Sequence, residues 1–207
     1  MSVLGAVIAG GSSTRMGSVD KLALDWGGEN LVTHIARRLQ TQFENIVINM
    51  PGSKAALAPL KVPIVPDSAN RRGEPVGASL LGPLAGIEAV LIHAKKAGFH
   101  TVVTCAGDTP FFPKDLRACF PTSVASLQML RSEGGPQPLF ASWPTSCLTD
   151  LTNFLKAEDT LKVTAFAEQQ GVRWIDYKSP ANANAFLNIN THEDLVIAQA
   201  HLAGNHG

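Results

Sequence analysis

Val3-Leu4-Gly5-Ala6-Val7-Ile8 runs straight into Ala9-Gly10-Gly11-Ser12-Ser13-Thr14-Arg15-Met16-Gly17-Ser18-Val19-Asp20-Lys21, and the fold is decided at this junction. An apolar run with no alternation reads as a β-strand buried on both faces. The turn behind it gathers adjacent glycines, hydroxyls and two cations. Two glycines let the backbone approach an anion closely and turn N–H groups toward it, while Arg15 and Lys21 add formal positive charge. That combination suits a polyphosphate. Backbone dipoles at such a turn amount to only about half an elementary charge, so full cations or a metal must supply the rest. At an effective dielectric of about 20, a cation at about 4 Å contributes on the order of 4 kcal/mol of gross attraction before desolvation. Neither a Gly-Lys-Ser/Thr ending nor a GxGxxG spacing is present, so the turn is not a P-loop or a dinucleotide fingerprint. The plain alternative is a strand-to-helix turn with solvated cations.

Working outward, strand-like and helix-like stretches alternate. Asn30 is placed to cap a helix carrying Leu31, Ile35, Leu39 and Phe43 on one face, with Arg37, Arg38 and Gln42 expected toward water. Ile46-Val47-Ile48-Asn49 and Val62-Pro63-Ile64-Val65-Pro66-Asp67 read as short strands whose polar tips leave the sheet. Residues 68–81, with Arg71 and Arg72, form a Gly- and Pro-containing stretch without periodicity, the pattern of a lid loop. A helix opens at Gly82-Pro83 and closes at Gly98, and Thr101 to Ala106 reads as a central strand running into Gly107-Asp108-Thr109-Pro110.

In the second half, Lys114 to Phe120 reads as a short helix and Val124 to Leu130 as a strand. Residues 132–138 form a turn-rich connection into a strand over Leu139 to Trp143. Helices are expected over about 146–155 and 161–169, a strand over Val172 to Tyr177, and an extended Phe186-Leu187-Asn188-Ile189-Asn190 before a last helix capped by Thr191 and Asp194. The alternation predicts an α/β fold with a mainly parallel sheet, helices on both faces and a site at the strands' C-terminal ends.

Composition bounds the partners. The 207 residues suit one domain with a substantial core, and a formal net charge of +0 without a Lys/Arg run argues against nucleic acid. Three cysteines with no CxxC pair predict reduced thiols and a cytoplasmic setting, and no apolar stretch is long enough for a membrane helix. The six histidines show no metal-ligand spacing and read as surface residues; Trp26, Trp143 and Trp174 are scattered and read as packing.

Ala-Gly-Gly-Ser-Ser-Thr-Arg-Met-Gly with Asp20-Lys21 behind it resembles the nucleotidyltransferase family that makes molybdopterin guanine dinucleotide. The resemblance continues at Val-Pro-Asp67, Gly82-Pro-Leu-Ala-Gly86-Ile, Gly107-Asp108-Thr-Pro-Phe and Phe-Leu-Asn188-Ile-Asn190-Thr-His-Glu-Asp-Leu, and so spans nearly the whole chain. It implies a three-layer Rossmann-like fold with a mainly parallel sheet, with a nucleotide half over roughly 1–115 and an acceptor half over roughly 116–203. It also implies Mg²⁺-dependent transfer of GMP from GTP to the terminal phosphate of molybdopterin, with a transient contact to molybdoenzymes or their chaperones. Residue by residue, it assigns the nucleotide to Ile8, Ala9, Gly10, Gly11 and Lys21, its base and ribose to Asn49 and Asp67, and Mg²⁺ to Asp108. Arg15, Lys21 and Asp108 would be catalytic, and Gly82, Gly86, Asn188 and Asn190 would line the acceptor side.

Asp108 reads from chemistry alone either as a metal ligand, since Mg²⁺ takes one or two carboxylates plus phosphate oxygens, or as a turn-capping residue before Pro110. Asn188 and Asn190 alternate with Ile189, so both amides face one side of an extended segment, although Asn190 also fits the capping turn of the last helix. Pro51, Gln137-Pro138 and the stretch around Leu161-Lys162 depart from the family's pattern, where a second Asn, a His-Pro and an Arg pair are common. Two alternatives follow: a cytidylyl- or sugar-phosphate nucleotidyltransferase, and a non-catalytic nucleotide-binding module.

Overall fold

Val3–Ile8 forms the expected strand, β1, buried along its whole length. In this computed structural model the described residues are 2–9, 25–50, 55–67, 82–121, 125–157, 161–178 and 184–204. A small hairpin absent from the sequence reading follows: β2 (Asp25–Trp26) pairs antiparallel with β3 (Glu29–Asn30). Asn30 then caps α1 (Leu31–Gln40), its side-chain oxygen accepting from the N–H groups of Val32 and Thr33 as a capping Asn should. The next elements are β4 (Ile46–Asn49), β5 (Ile64–Val65), α2 (Gly82–Lys96) and β6 (Thr101–Ala106).

The stretch expected as a strand over 62–67 shrinks to two residues because Pro63 and Pro66 bracket it and have no N–H to give a ladder. α2 ends at Lys96, just before the expected stop at Gly98, with Phe99 N–H bonded to Ala94 O and Gly98 N–H to Lys95 O.

The second half contains α3 (Leu116–Cys119), β7 (Gln128–Ser132), β8 (Gly135–Pro144), α4 (Leu148–Ala157), α5 (Val163–Gln169), β9 (Arg173–Asp176) and α6 (His192–Gly204). Here the expected connection over 132–138 is corrected, because the turn is confined to Glu133 and Gly134 and both prolines lie inside β8. The reason is positional. β8 pairs with β6 only over Ala141 to Pro144, so Pro136 and Pro138 lie where β8 has a single partner, β7, and their missing N–H groups cost little.

Among the described residues, seven of the nine strands form one sheet in the order β5-β4-β1-β6-β8-β7-β9, and β2 and β3 stand apart. β5, β4, β1 and β6 are mutually parallel, β8 is antiparallel to both neighbours, and β9 is parallel to β7. The sheet is thus mixed but mostly parallel. Alternation along β1 divides the core: Val3 and Val7 join Leu31, Ile35 and Leu39 of α1 and Leu195 and Ala198 of α6, while Leu4, Ala6 and Ile8 join Leu84, Val90 and Leu91 of α2 with Leu151 of α4 and Phe166 of α5. Helices therefore cover both faces, as the alternation of elements predicts.

Candidate functional site

Register brings four strand ends to one edge. Ile8 of β1 stands opposite Asn49 of β4 on one side and Ala106 of β6 on the other, and Asn49 stands opposite Val65 of β5. Because all four strands are parallel, the residues that follow them emerge together at the C-terminal edge. Hydrogen bonds continue the row past the strands: Ala9 N–H donates to Asn49 O and Gly107 N–H to Ile8 O, both at 2.9 Å. Gly107 needs to be glycine here, since a Cβ would stand 2.6 Å from Ala9 Cβ and 2.9 Å from its Cα.

Asn49, expected as an exposed polar tip, is instead fully buried. Its Nδ2 donates to Val65 O at 3.1 Å and to Asp67 Oδ1 at 2.8 Å, so the amide satisfies both its donors while joining β4 to the residues after β5. Asp67 itself is half-buried at the rim.

On the other side of β1, Asp108 is half-buried just beyond β6, and its backbone oxygen accepts from Ile189 N–H at 2.8 Å. Thr109, fully buried, places Oγ1 2.5 Å from Asn188 Oδ1 and 3.2 Å from Asp108 Oδ1. One hydroxyl thereby ties the Asp108 turn to the exposed Asn188. Asn190 lies in the capping turn: its N–H and that of Thr191 donate to Asp194 Oδ2, while Asp194 N–H donates to Thr191 Oγ1.

Gly82 opens α2 at the same edge, and Gly86 is buried one turn further on, directly against Asn49. The described site residues therefore fall into two groups flanking Ile8 and Ala9, with Asn49, Asp67 and Gly86 on one side and Asp108 and Asn188 on the other. Gly10, Gly11, Arg15, Lys21, Pro51, Arg71 and Arg72 lie outside the described residues, as does the stretch over 68–81.

Two groups behind Asp108 escape sequence reasoning. Arg38 and Gln42, expected in water, hold the segment that follows it: Arg38 Nε and Nη2 donate to Phe112 O at 2.8 and 2.6 Å, and Gln42 Nε2 donates to Pro113 O at 3.0 Å. Burial lowers the Arg38 pKa from its ordinary value, opposed by Tyr177. No local signal marks this contact, which joins residues 74 apart in the chain.

His34, read as a surface residue, is half-buried beside Trp26 and Glu29, and desolvation lowers its pKa. The cysteines are free thiols. Burial raises Cys105 strongly, pushes Cys119 up to about 11 and Cys147 up to about 12, so none is an activated nucleophile. Trp143 stacks on Phe166 and Trp26 meets Phe111 edge-on, packing roles as read. Among the described residues no cluster of three or more His, Cys, Asp or Glu could hold a metal, and no helix is long and apolar enough to cross a membrane. The Asp108 side offers a carboxylate with hydroxyl and amide oxygens beside it, hard donors of the kind that share Mg²⁺ with phosphate oxygens.

Residues 5–173 match the family model described as MobA-like NTP transferase domain. The chain is 34% identical over 201 residues to a molybdenum cofactor guanylyltransferase of Cereibacter sphaeroides, covering 97% of each, and 33% identical over 205 residues to one of Rhizobium meliloti, covering 95% of this chain and 90% of that one. Its fold matches the crystal structure of molybdopterin-guanine dinucleotide biosynthesis protein A from Archaeoglobus fulgidus with a TM-score of 0.74 at 21% identity, covering 98% of this chain and 99% of the other.

Proposed function

Since the chain belongs to the MobA-like NTP transferase family, we propose that it moves GMP from GTP to the terminal phosphate of molybdopterin and releases pyrophosphate. The observation that carries this reading is the row of parallel strand ends, with Asp67 beyond one end and Asp108 beyond the other. Three interstrand steps of about 4.8 Å separate β5 from β6, roughly 14 Å in all. A nucleotide laid along such a row has its base and ribose at the Asn49–Asp67 end and its phosphates across Ile8, Ala9, Gly10 and Gly11 toward Asp108. Lys21 and Arg15 supply the positive charge that backbone dipoles cannot.

Mg²⁺ is the metal we assign: Asp108 would hold it, and it would supply charge neutralisation at the phosphate oxygens. The chain's own residues then have a limited task. A phosphate monoester has its second pKa near ~6 and is already largely dianionic at pH 7, so the acceptor needs no strong base, only alignment and charge neutralisation at the α-phosphorus. The buried thiols agree with this, since no covalent nucleophile is required. On the acceptor side the reading assigns Asn188 and Asn190 as amide donors, within a half running from about 116 to 203, together with Gly82 at the start of α2. Delivery of the product by transient contact with a molybdoenzyme or its chaperone completes the proposal.

Pyrophosphate release measured side by side with GTP, CTP, UTP and ATP, with molybdopterin, with a sugar phosphate and with no acceptor, tests it. Release with GTP only, and only when molybdopterin is present, is expected. Equal release with CTP and a sugar phosphate, or nucleotide binding with no release under any combination, overturns it.

A further inference from the structure

Asn49 is fully buried, and its position is over-determined. Both amide hydrogens are committed, to Val65 O and to Asp67 Oδ1, and since both partners are acceptors the orientation of the amide is unambiguous. Its backbone oxygen is also occupied, holding Ala9 N–H. The remaining atom, Oδ1, is buried and has no hydrogen-bond partner among the described residues.

What lies against that oxygen is Gly86 of α2. A Cβ there would overlap Asn49 Oδ1 and stand 2.8 Å from Cγ and 3.2 Å from Nδ2, so the helix leaves a slot one methyl group deep that the amide fills. The absence of a Cβ at Gly86 is what lets the amide oxygen lie there.

We infer that Gly86 and Asn49 are positioning residues for Asp67: Gly86 shapes the slot, Asn49 fills it, and the Asn49 amide fixes the half-buried Asp67 carboxylate at the nucleotide end of the row. Gly86 then acts on nucleotide binding through two side chains and is not itself a lining residue of the acceptor side. The inference rests on the nucleotide reading of Asp67. It follows that a methyl group at Gly86 displaces the amide and frees Asp67, although it touches no ligand.

The test is GTP titration calorimetry and pyrophosphate-release kinetics against molybdopterin concentration on the full chain as Gly86→Ala, Asp67→Ala and the double variant, with melting temperatures of these and of Asn49→Ala and Gly86→Ala/Asn49→Ala. Gly86→Ala is expected to weaken GTP binding by about tenfold, the scale of one lost buried hydrogen bond. It is expected to leave the acceptor KM unchanged, and to cost nothing further in the Asp67→Ala background. A full loss in that background, or a rise in acceptor KM alone, overturns the inference. If the wild-type chain takes up no GTP, the functional reading fails separately. The slot is then decided by melting: a penalty for Gly86→Ala that vanishes beside Asn49→Ala supports it, and an equal penalty in both overturns it. Should Gly86→Ala not fold, folding of Gly86→Ala/Asn49→Ala supports the slot and unfolding of both sinks it.

Discussion

The two ends of the sheet hold their candidate residues by different means. Along β5, β4, β1 and β6 the backbone ladder itself delivers Asp67, Asn49, Ala9 and Asp108 to a common edge, so their spacing is the interstrand spacing. Beyond β6 the pattern changes. β8 runs antiparallel, and Asn188 and Asn190 sit on a segment with no ladder, fastened by Ile189 N–H to Asp108 O, by the Thr109 hydroxyl and by the Thr191–Asp194 cap. A parallel ladder makes one half a continuous rail, along which the proposed nucleotide would lie. Point contacts on an irregular segment hold the other half, where the proposed acceptor would bind.

The largest expected effect comes from the residue that belongs to both halves. Asp108→Asn keeps the backbone bond to Ile189 and should retain the wild-type melting temperature, yet pyrophosphate release should fall by about 10²–10³, the usual cost of removing one group that manages transition-state charge. Near wild-type release would remove Asp108 from the metal site. Next is Gly107→Ala, which forces a Cβ into Ala9 across the β1–β6 edge. Overpacking there should cost about 1–3 kcal/mol by chemical denaturation, with GTP affinity reduced as well; unchanged stability would mean that the strand ends are less tightly joined than the geometry requires. The smallest is Thr191→Ala in the second half. Loss of the cap should cost about 1 kcal/mol and raise the acceptor KM while GTP affinity stays constant. A parallel loss of GTP affinity would break the division between rail and segment.

Much of this was legible because a polar residue closing an apolar run marks a strand end. Ile8, Asn49, Asp67 and Asp108 all stand at or just past such points, and their common edge follows from alternating parallel units. What local pattern could not carry was pairing. Nothing in Gly135 to Pro138 announces a strand, since prolines are tolerated there only because β6 has already ended. Likewise, Arg38 looks like any charge on the outer face of an amphipathic helix until the segment after Asp108 is folded against it.

The sequence by itself determined most of the helices and the parallel strands, the capping residues Asn30 and Thr191, the class of fold and the family, because propensity, periodicity and motif spacing are short-range properties. The tertiary structure alone decided that β8 runs antiparallel between β6 and β7, that Asn49 is buried with its amide committed, and that Gly86 and Gly107 are glycine because another chain segment passes within contact distance. Those facts depend on steric exclusion and hydrogen bonding between residues far apart in the chain, which no local window contains.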